Sequence, residues 1–513
     1  MSRKWWTLTL ISVATFMLLL DITIVNVALP DIQRSLHASL SSLEWVVDAY
    51  SLMLASFLLT AGSLGDRIGR RRVFAAGFAI FTFASFLCGI ANDPTLLNLA
   101  RGLQGIGGSA MFATSLALIA QEFEGRDRAT AFAVWGATIG GAVAIGPLVG
   151  GLLTEGLGWE WIFFVNVPIG IAAIALVQTK LVNVSAQDAA RLDIPGQITF
   201  SASLFGLIFG LIRGNPEGWG SPQILVSLIG SAVLMAAFIV IELRSDHPML
   251  DLSLFRKPAF NGVSAVAFAL SASMFALFLY LTLYIQTVLG YSPLQAGLRF
   301  LPLSLVSFFA AFASGRLSDR VPIRVLLGSG LGIVGIGLLL MHGLDINSGW
   351  TALLAGFIVA GVGVGIANPG IGQAAIGVVP PAKAGMGSGI NTTFRQVGIA
   401  TGVAALGSVF QSGIASRLAE ELPKAPAGLA EAVSSGGVKA ALAGAPAGQH
   451  HAVELAAKSA FIGAFNEILL IGAITALIGS ACGFILVRGK DFVPQGAPPN
   501  EGQAEPEPEP ATA

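Results

Sequence analysis

Gly62-Ser-Leu-Gly65-Asp66-Arg67-Ile-Gly69-Arg70-Arg71-Arg72 is a short basic connection between two apolar runs, and a weaker copy returns as Gly315-Arg-Leu-Ser-Asp319-Arg320-Val-Pro-Ile-Arg324. A transmembrane helix needs about 20 mostly apolar residues. Runs of that kind flank both copies and recur along the whole chain. Fourteen of them are counted, at 6–29, 44–64, 73–91, 96–120, 130–154, 161–179, 194–213, 222–242, 259–286, 294–315, 322–342, 350–373, 388–411 and 461–487. The copies stand eight spans apart, so they face the same side of the membrane. A repeat unit of six spans then leaves the seventh and eighth as an insertion between two halves. The sequence thus predicts an all-α integral membrane protein of 14 transmembrane helices: a half at 1–180, an insertion at 181–258, and a second half at 259–487.

Composition agrees. Of 513 residues, 54% are hydrophobic and 11% charged, against about 25% charged in a soluble protein. No polar shell is left to cover that much apolar surface in water. The net charge of −1 gives no basic field to hold nucleic acid. Cys88 and Cys482 both fall in apolar runs, where a thiol behaves as a small hydrophobe; neither a disulfide framework nor a metal cluster is expected. The first apolar run carries Asp21, continues to Leu29 and lacks a small-residue cleavage site, so it reads as an uncleaved span.

Lys and Arg set the orientation. With the N-terminus inside, nineteen lie in cytoplasmic connections and six in outer ones, while Arg101, Arg299 and Arg395 lie within spans. Both termini are therefore expected in the cytoplasm, with the chain in the cytoplasmic membrane. Residues 412–460 form a long outer connection with helical fragments at 417–422 and 453–459, either a cap, a hairpin or disordered. The tail 488–513, with its Glu-Pro repeat, cannot bury a core and reads as disordered.

Repeated halves with a site between them are the usual plan of a secondary transporter. Five motifs in order carry a closer likeness: Leu20-Asp21-Ile-Thr23-Ile-Val-Asn26-Val-Ala-Leu-Pro30; the Gly62–Arg72 loop; Arg101-Gly-Leu-Gln104-Gly105-Ile-Gly107-Gly108; Gly146-Pro147-Leu-Val-Gly150-Gly151; and Trp161-Ile-Phe-Phe-Val-Asn166-Val-Pro168-Ile-Gly170. With these the chain resembles the major facilitator superfamily, and within it the fourteen-span drug–proton antiporters, over about 1–490. Ala142 and Glu160 depart from the family pattern, which usually has glycine and arginine there. The resemblance implies two six-helix halves that rock around a central cavity, no cofactor beyond a proton gradient, and a monomer.

The candidate proton and substrate residues are Asp21, Asp48, Arg101, Gln104 and Glu467. A charged carboxylate deep in a span costs roughly 2.5–3.5 kcal/mol. Asp21 therefore faces a water-filled cavity, is neutral, or has a partner. Burial favours the neutral acid, so a proton site is natural chemistry there; the plainer reading is a packing Asp bonded to Thr23 or Asn26. Asp48 sits about one turn inside span 2, deeper than Glu44, and either binds protons, attracts cations, or is solvated at the interface. Arg101 needs a carboxylate or carbonyl partner, with Gln104 one turn on along the same face. Its charge would favour an ionised carboxylate nearby, and its withdrawal the neutral acid; the resemblance ties this arginine to proton coupling. Glu467 in span 14 lies as deep as Arg101 and is a third titrating candidate. Arg395 and Arg299 read as packing or gating groups.

Gly62, Gly65, Asp66, Arg67, Gly69 and Arg70 form the candidate cytoplasmic gating loop. Its glycines permit a tight turn and close approach, and its charges can pair between halves in one state only. Gly146, Pro147, Gly150 and Gly151 give span 5 a kink and a smooth face, and the resemblance assigns this motif to antiporters. Gly105-x-Gly107-x-x-Ala110 lies mid-span without a preceding strand and is no dinucleotide fingerprint; Gly489-Lys490 is followed by Asp491, so there is no P-loop. His450-His451 lacks a third metal ligand, and no nucleophile–base constellation exists, so an enzyme is not expected. The reading is proton-coupled export of hydrophobic, cationic compounds. The alternatives are a narrow metabolite or self-resistance exporter, or a sensor that binds and moves nothing.

Overall fold

The computed structural model describes residues 2–38, 40–182, 193–245, 250–318, 320–380, 384–422, 429–434 and 450–493. The described residues form helices and connections, with no strand. The long helices are α1 (Arg3–Leu36), α2 (Leu40–Ile68), α3 (Arg70–Gly89), α4 (Pro94–Glu122), α5 (Gly125–Gly156), α6 (Trp161–Lys180, interrupted at Val165), α7 (Ile194–Glu217) and α8 (Pro222–Arg244). They continue as α9 (Pro258–Val288), α10 (Pro293–Leu317), α11 (Ile323–Leu340), α12 (Leu354–Gly377), α13 (Ala384–Glu421) and α14 (His450–Leu486). Thirteen are long and apolar enough to cross a membrane over their described residues. The fourteenth, α5, has 32 residues and at 1.5 Å per residue is also long enough to cross.

Local sequence explains where the helices start. Asp93 accepts hydrogen bonds from the Thr95 and Leu96 amides, both 2.9 Å, ahead of Pro94. Ser292 and Gln295 close a reciprocal capping box around the start of α10. Proline also stands in the first turn of α7, α8 and α9, where its missing N–H is not needed. Between α2 and α3 the chain reverses at Gly69, whose φ of 105° lies in a region that favours glycine.

Helices α1–α6 pack among themselves, and so do α9–α14; the principal contacts between the two sets are α2 with α13 and α5 with α10. The second helix of each set meets the fifth of the other. Two repeats related by a two-fold axis along the membrane normal produce this crosswise pairing. The joint is tight near the Gly62–Arg72 loop, called here the basic end. A Cβ on Gly315 of α10 would stand 2.7 Å from the Ala133 Cβ of α5, and one on Gly389 of α13 would stand 3.1 Å from Leu59 of α2.

The inserted pair lies along one side of this joint. Helices α7 and α8 pack on each other, and α7 rests on both α2 and α13. Thr60 and Ser201 share a 3.0 Å hydrogen bond, and the Asn215 Nδ2 donates to the Ala404 carbonyl at 3.0 Å. Helix α8 leaves Val226, Val233 and Leu243 largely exposed, as a lipid-facing helix does.

Three features differ from the sequence reading. Helix α13 continues to Glu421 and α14 begins at His450, so the expected fragments 417–422 and 453–459 are largely ends of long helices. No proline interrupts α13, and Pro423 follows it closely. A six-residue helix, Leu429–Ser434, lies in the same connection. Residues 488–493, expected in the loose tail, are docked: Asp491 accepts from the Ala259 amide at 3.1 Å, and the Val493 amide donates to the Gly377 carbonyl at 2.8 Å. The tail from 494 onward lies outside the described residues. Finally, α9 contains two π-turns, Ser271–Phe275 and Tyr284–Val288, which hydropathy does not reveal.

Candidate functional site

Asp21, Arg101 and Gln104 meet in the interior of the α1–α6 set, each essentially fully buried. Arg101 Nη1 donates to Asp21 Oδ2 at 2.5 Å and to Gln104 Oε1 at 2.6 Å. Its Nε donates to the Val46 carbonyl at 2.8 Å. Gln104 Nε2 donates to Asp21 Oδ1 and to Ser85 Oγ, both at 2.9 Å, and Asn166 Nδ2 donates to Asp21 Oδ1 at 3.3 Å. The guanidinium lies 4.4 Å from the Tyr50 ring centroid. Helices α1, α2, α3, α4 and α6 each contribute a polar group. Of the three ways to accommodate Asp21, the structure uses a partner: both its oxygens accept bonds, and Arg101 balances its charge.

Small residues make this approach possible. A Cβ on Gly105 would stand 2.4 Å from the Tyr50 carbonyl, so glycine there brings α4 close to α2 one residue from Gln104. Asn166, Ser85 and Tyr50 were not singled out from sequence. Asn166 lay in a quoted motif, and an amide inside a span is a polar signal that points toward a buried acceptor.

The other expected residues lie elsewhere. Asp48 is half-buried on α2, two residues beyond Val46. Glu467 sits on α14 paired with Arg417 of α13 at 2.5 Å, its side chain 46% exposed. It is remote from the Asp21 network and belongs to the surface where α13 and α14 lie side by side.

The loop expected to gate stands at the basic end. Arg70 holds Asp66 Oδ1 through Nε (3.0 Å) and Nη2 (2.9 Å), and its Nη1 reaches the Ala117 carbonyl at 3.2 Å. Asp66 Oδ2 accepts from the Met386 amide at 2.9 Å. That amide is in the first turn of α13, where the helix dipole favours a negative charge. One carboxylate thus joins the α1–α6 set to α13. Gly65 packs α2 on α4, with Thr114 Cγ2 3.0 Å from where its Cβ would be, while Gly62 is buried and Arg67 partly so. Asp319 in the second copy lies outside the described residues.

On α5, a Cβ on Gly146 would collide with the Thr23 hydroxyl of α1, and one on Gly150 would stand 3.1 Å from Ile24; Gly151 faces open space. The smooth face therefore seats α5 on α1, two residues from Asp21. The side chain of Pro147 lies outside the described residues.

Between the sets lies a small, mostly apolar pocket lined by residues including Ile139, Phe275, Phe278, Ser304 and Ser307. Among the described residues no carboxylate lines it. Among the described residues no group of three His, Cys, Asp or Glu is placed to hold a metal ion.

Comparison with known proteins agrees with this architecture. The model of the Major Facilitator Superfamily matches residues 11–403. Multidrug resistance protein Stp of Mycobacterium tuberculosis is 37% identical over 421 residues, covering 82% of this chain and 78% of that protein. The tetracenomycin C resistance and export protein of Streptomyces glaucescens is 31% identical over 490 residues, covering 93% and 91%. The solved structure of the proton:xylose symporter XylE superposes with a TM-score of 0.62 at 14% identity, covering 94% of this chain and 96% of that one; at that identity the likeness concerns the fold alone.

Proposed function

The chain belongs to the major facilitator superfamily, a family of multi-pass transporters rather than enzymes, and from that premise we propose that it exports hydrophobic, drug-like compounds in exchange for protons. The resistance and export proteins to which it is similar support the substrate class and direction. The observation that carries the coupling is the buried Asp21–Arg101 pair. In the arrangement seen, both charges are satisfied. Protonating Asp21 would leave Arg101 uncompensated in a low-dielectric interior, which costs several kcal/mol. Proton uptake therefore requires the pair to separate, and separation requires α1 and α4 to shift. That is how one proton biases a two-state protein.

The halves 1–180 and 259–487 are the bodies proposed to rock about the α2–α13 and α5–α10 joints. The basic end is proposed to face the cytoplasm of the cell membrane, as the distribution of Lys and Arg requires. The Asp66 bond and the close Gly315 and Gly389 contacts at that end support reading this form as the one shut from inside. One proton driven by about 100 mV supplies about 2.3 kcal/mol, so no nucleotide is needed. A cationic preference would need an acid on the path. Asp21 is paired with Arg101, and Asp48 is the acid proposed for that role.

Inside-out membrane vesicles containing the protein test this reading. Proton pumping should drive accumulation of ethidium or a hydrophobic antibiotic, and an uncoupler should collapse it. Accumulation that persists with the uncoupler, or no accumulation of any such compound, contradicts the proposal.

A further inference from the structure

Arg395 stands apart from Arg101. It lies on α13 and is only 8% exposed. Its Nη1 donates to Asn368 Oδ1 of α12 at 3.0 Å, and its guanidinium stands 5.7 Å from the Phe275 ring centroid. Neither partner carries a negative charge, and among the described residues Arg395 forms no salt bridge. A cation inside a membrane span without a counter-ion is costly. One turn earlier on the same face, Asn391 is 3% exposed and its Nδ2 has no hydrogen-bond partner. Ser271, which opens the first π-turn of α9, likewise has a buried hydroxyl without a partner. Phe275 closes that π-turn and lines the central pocket with Phe278, Ser304 and Ser307. π-Turns occur often at functional sites.

From a guanidinium without a counter-ion and an orphan amide one turn apart, the guanidinium beside the pocket-lining Phe275, we infer that Arg395 and Asn391 hold the ionised acidic group of an aromatic substrate, a carboxylate or a deprotonated phenol. The inference rests on the exporter reading and adds the substrate's charge to it. The planar guanidinium matches a carboxylate in two parallel bonds and stacks on aromatic faces. Its bonds to an anion are charge-assisted and strengthened by low dielectric. Phe275 and Phe278 take the ring surface, and the anion supplies the counter-charge that Arg395 lacks.

The test uses the full-length protein in lipid nanodiscs and two dyes of similar ring size, fluorescein as the aromatic anion and rhodamine 6G as the cation. Binding is read by fluorescence anisotropy. Arg395→Gln should weaken fluorescein at least about tenfold and leave rhodamine 6G no weaker; Arg395→Lys should weaken fluorescein less. Asn391→Asp, which supplies a carboxylate one turn from Arg395 and keeps it paired in the fold, should also weaken fluorescein selectively. Unchanged fluorescein affinity in Arg395→Gln and Asn391→Asp overturns the inference, as does a parallel loss of both dyes. Wild-type protein that binds rhodamine 6G but not fluorescein also overturns it and leaves the exporter reading standing. If Arg395-dependent fluorescein binding is found but vesicles move no compound, the anion site stands and the exporter reading fails.

Discussion

Arg101 is held by Val46, Asp21 and Gln104 at once, so its side chain acts as a planar three-way joint. Removing one partner of a buried ion pair costs about 3–5 kcal/mol, because the other charge is left stranded. Asp21→Ala and Arg101→Ala should each destabilise the protein by about that amount, and the double variant by clearly less than the sum. Arg101→Lys should not restore stability, since a lysine has one point charge and no fork. Thermal unfolding in detergent, arranged as a double-mutant cycle, measures this; additive losses would show that the pair does not act as a unit. The pair was legible in the sequence because charge inside an apolar run demands a partner. Ser85 was not, because a small hydroxyl is tolerated in a span and gives no comparable signal; Asn166 carried a polar signal, but an amide in a span does not name its partner. Glu467 looked deep because hydropathy alone set the edge of its span, and its partner Arg417 lay in what read as a loop.

At the scale of the helix, α5 is seated on α1 through glycines. Gly146→Ala should destabilise by about 1–3 kcal/mol, the usual cost of overpacking, because the new methyl group meets Thr23. Gly151→Ala, which meets open space, should be close to neutral. Melting temperatures and transport rates of the two variants separate them; equal losses would mean that α5 packs otherwise. Helix starts were readable from Asp93, Ser292 and the prolines, because caps are local chemistry. The π-turns of α9 were not readable: they adjust register to neighbours that α9 meets only in the folded molecule. The extensions of α13 and α14 escaped for a similar reason. Their polar ends are no longer membrane-like, yet Arg417 with Glu467 and Ser459 with Glu421 tie them together.

For the whole molecule, the repeated loop was the most informative stretch, since its spacing implied two halves and an insertion. The structure adds that Asp66 accepts a bond from the first turn of α13, the contact proposed to latch the basic end. A charge at a helix N-terminus contributes about 0.3–1 kcal/mol, up to about 2 when partly buried. Asp66→Asn should therefore favour opening at the basic end by severalfold, read as faster maleimide labelling of Leu59→Cys in a protein whose Cys88 and Cys482 are replaced. Unchanged labelling would remove Asp66 as a latch. The central claim is that export is coupled to proton movement through the Asp21–Arg101 pair. Its most direct test is to reconstitute the protein in vesicles with an imposed pH gradient, add ethidium or another transported compound, and follow compound and internal pH together in wild type and Asp21→Asn. The account predicts that substrate movement drives an opposite proton flux in wild type, and that Asp21→Asn abolishes the proton flux. Proton flux that persists in Asp21→Asn, or wild-type transport with no proton movement, would contradict it.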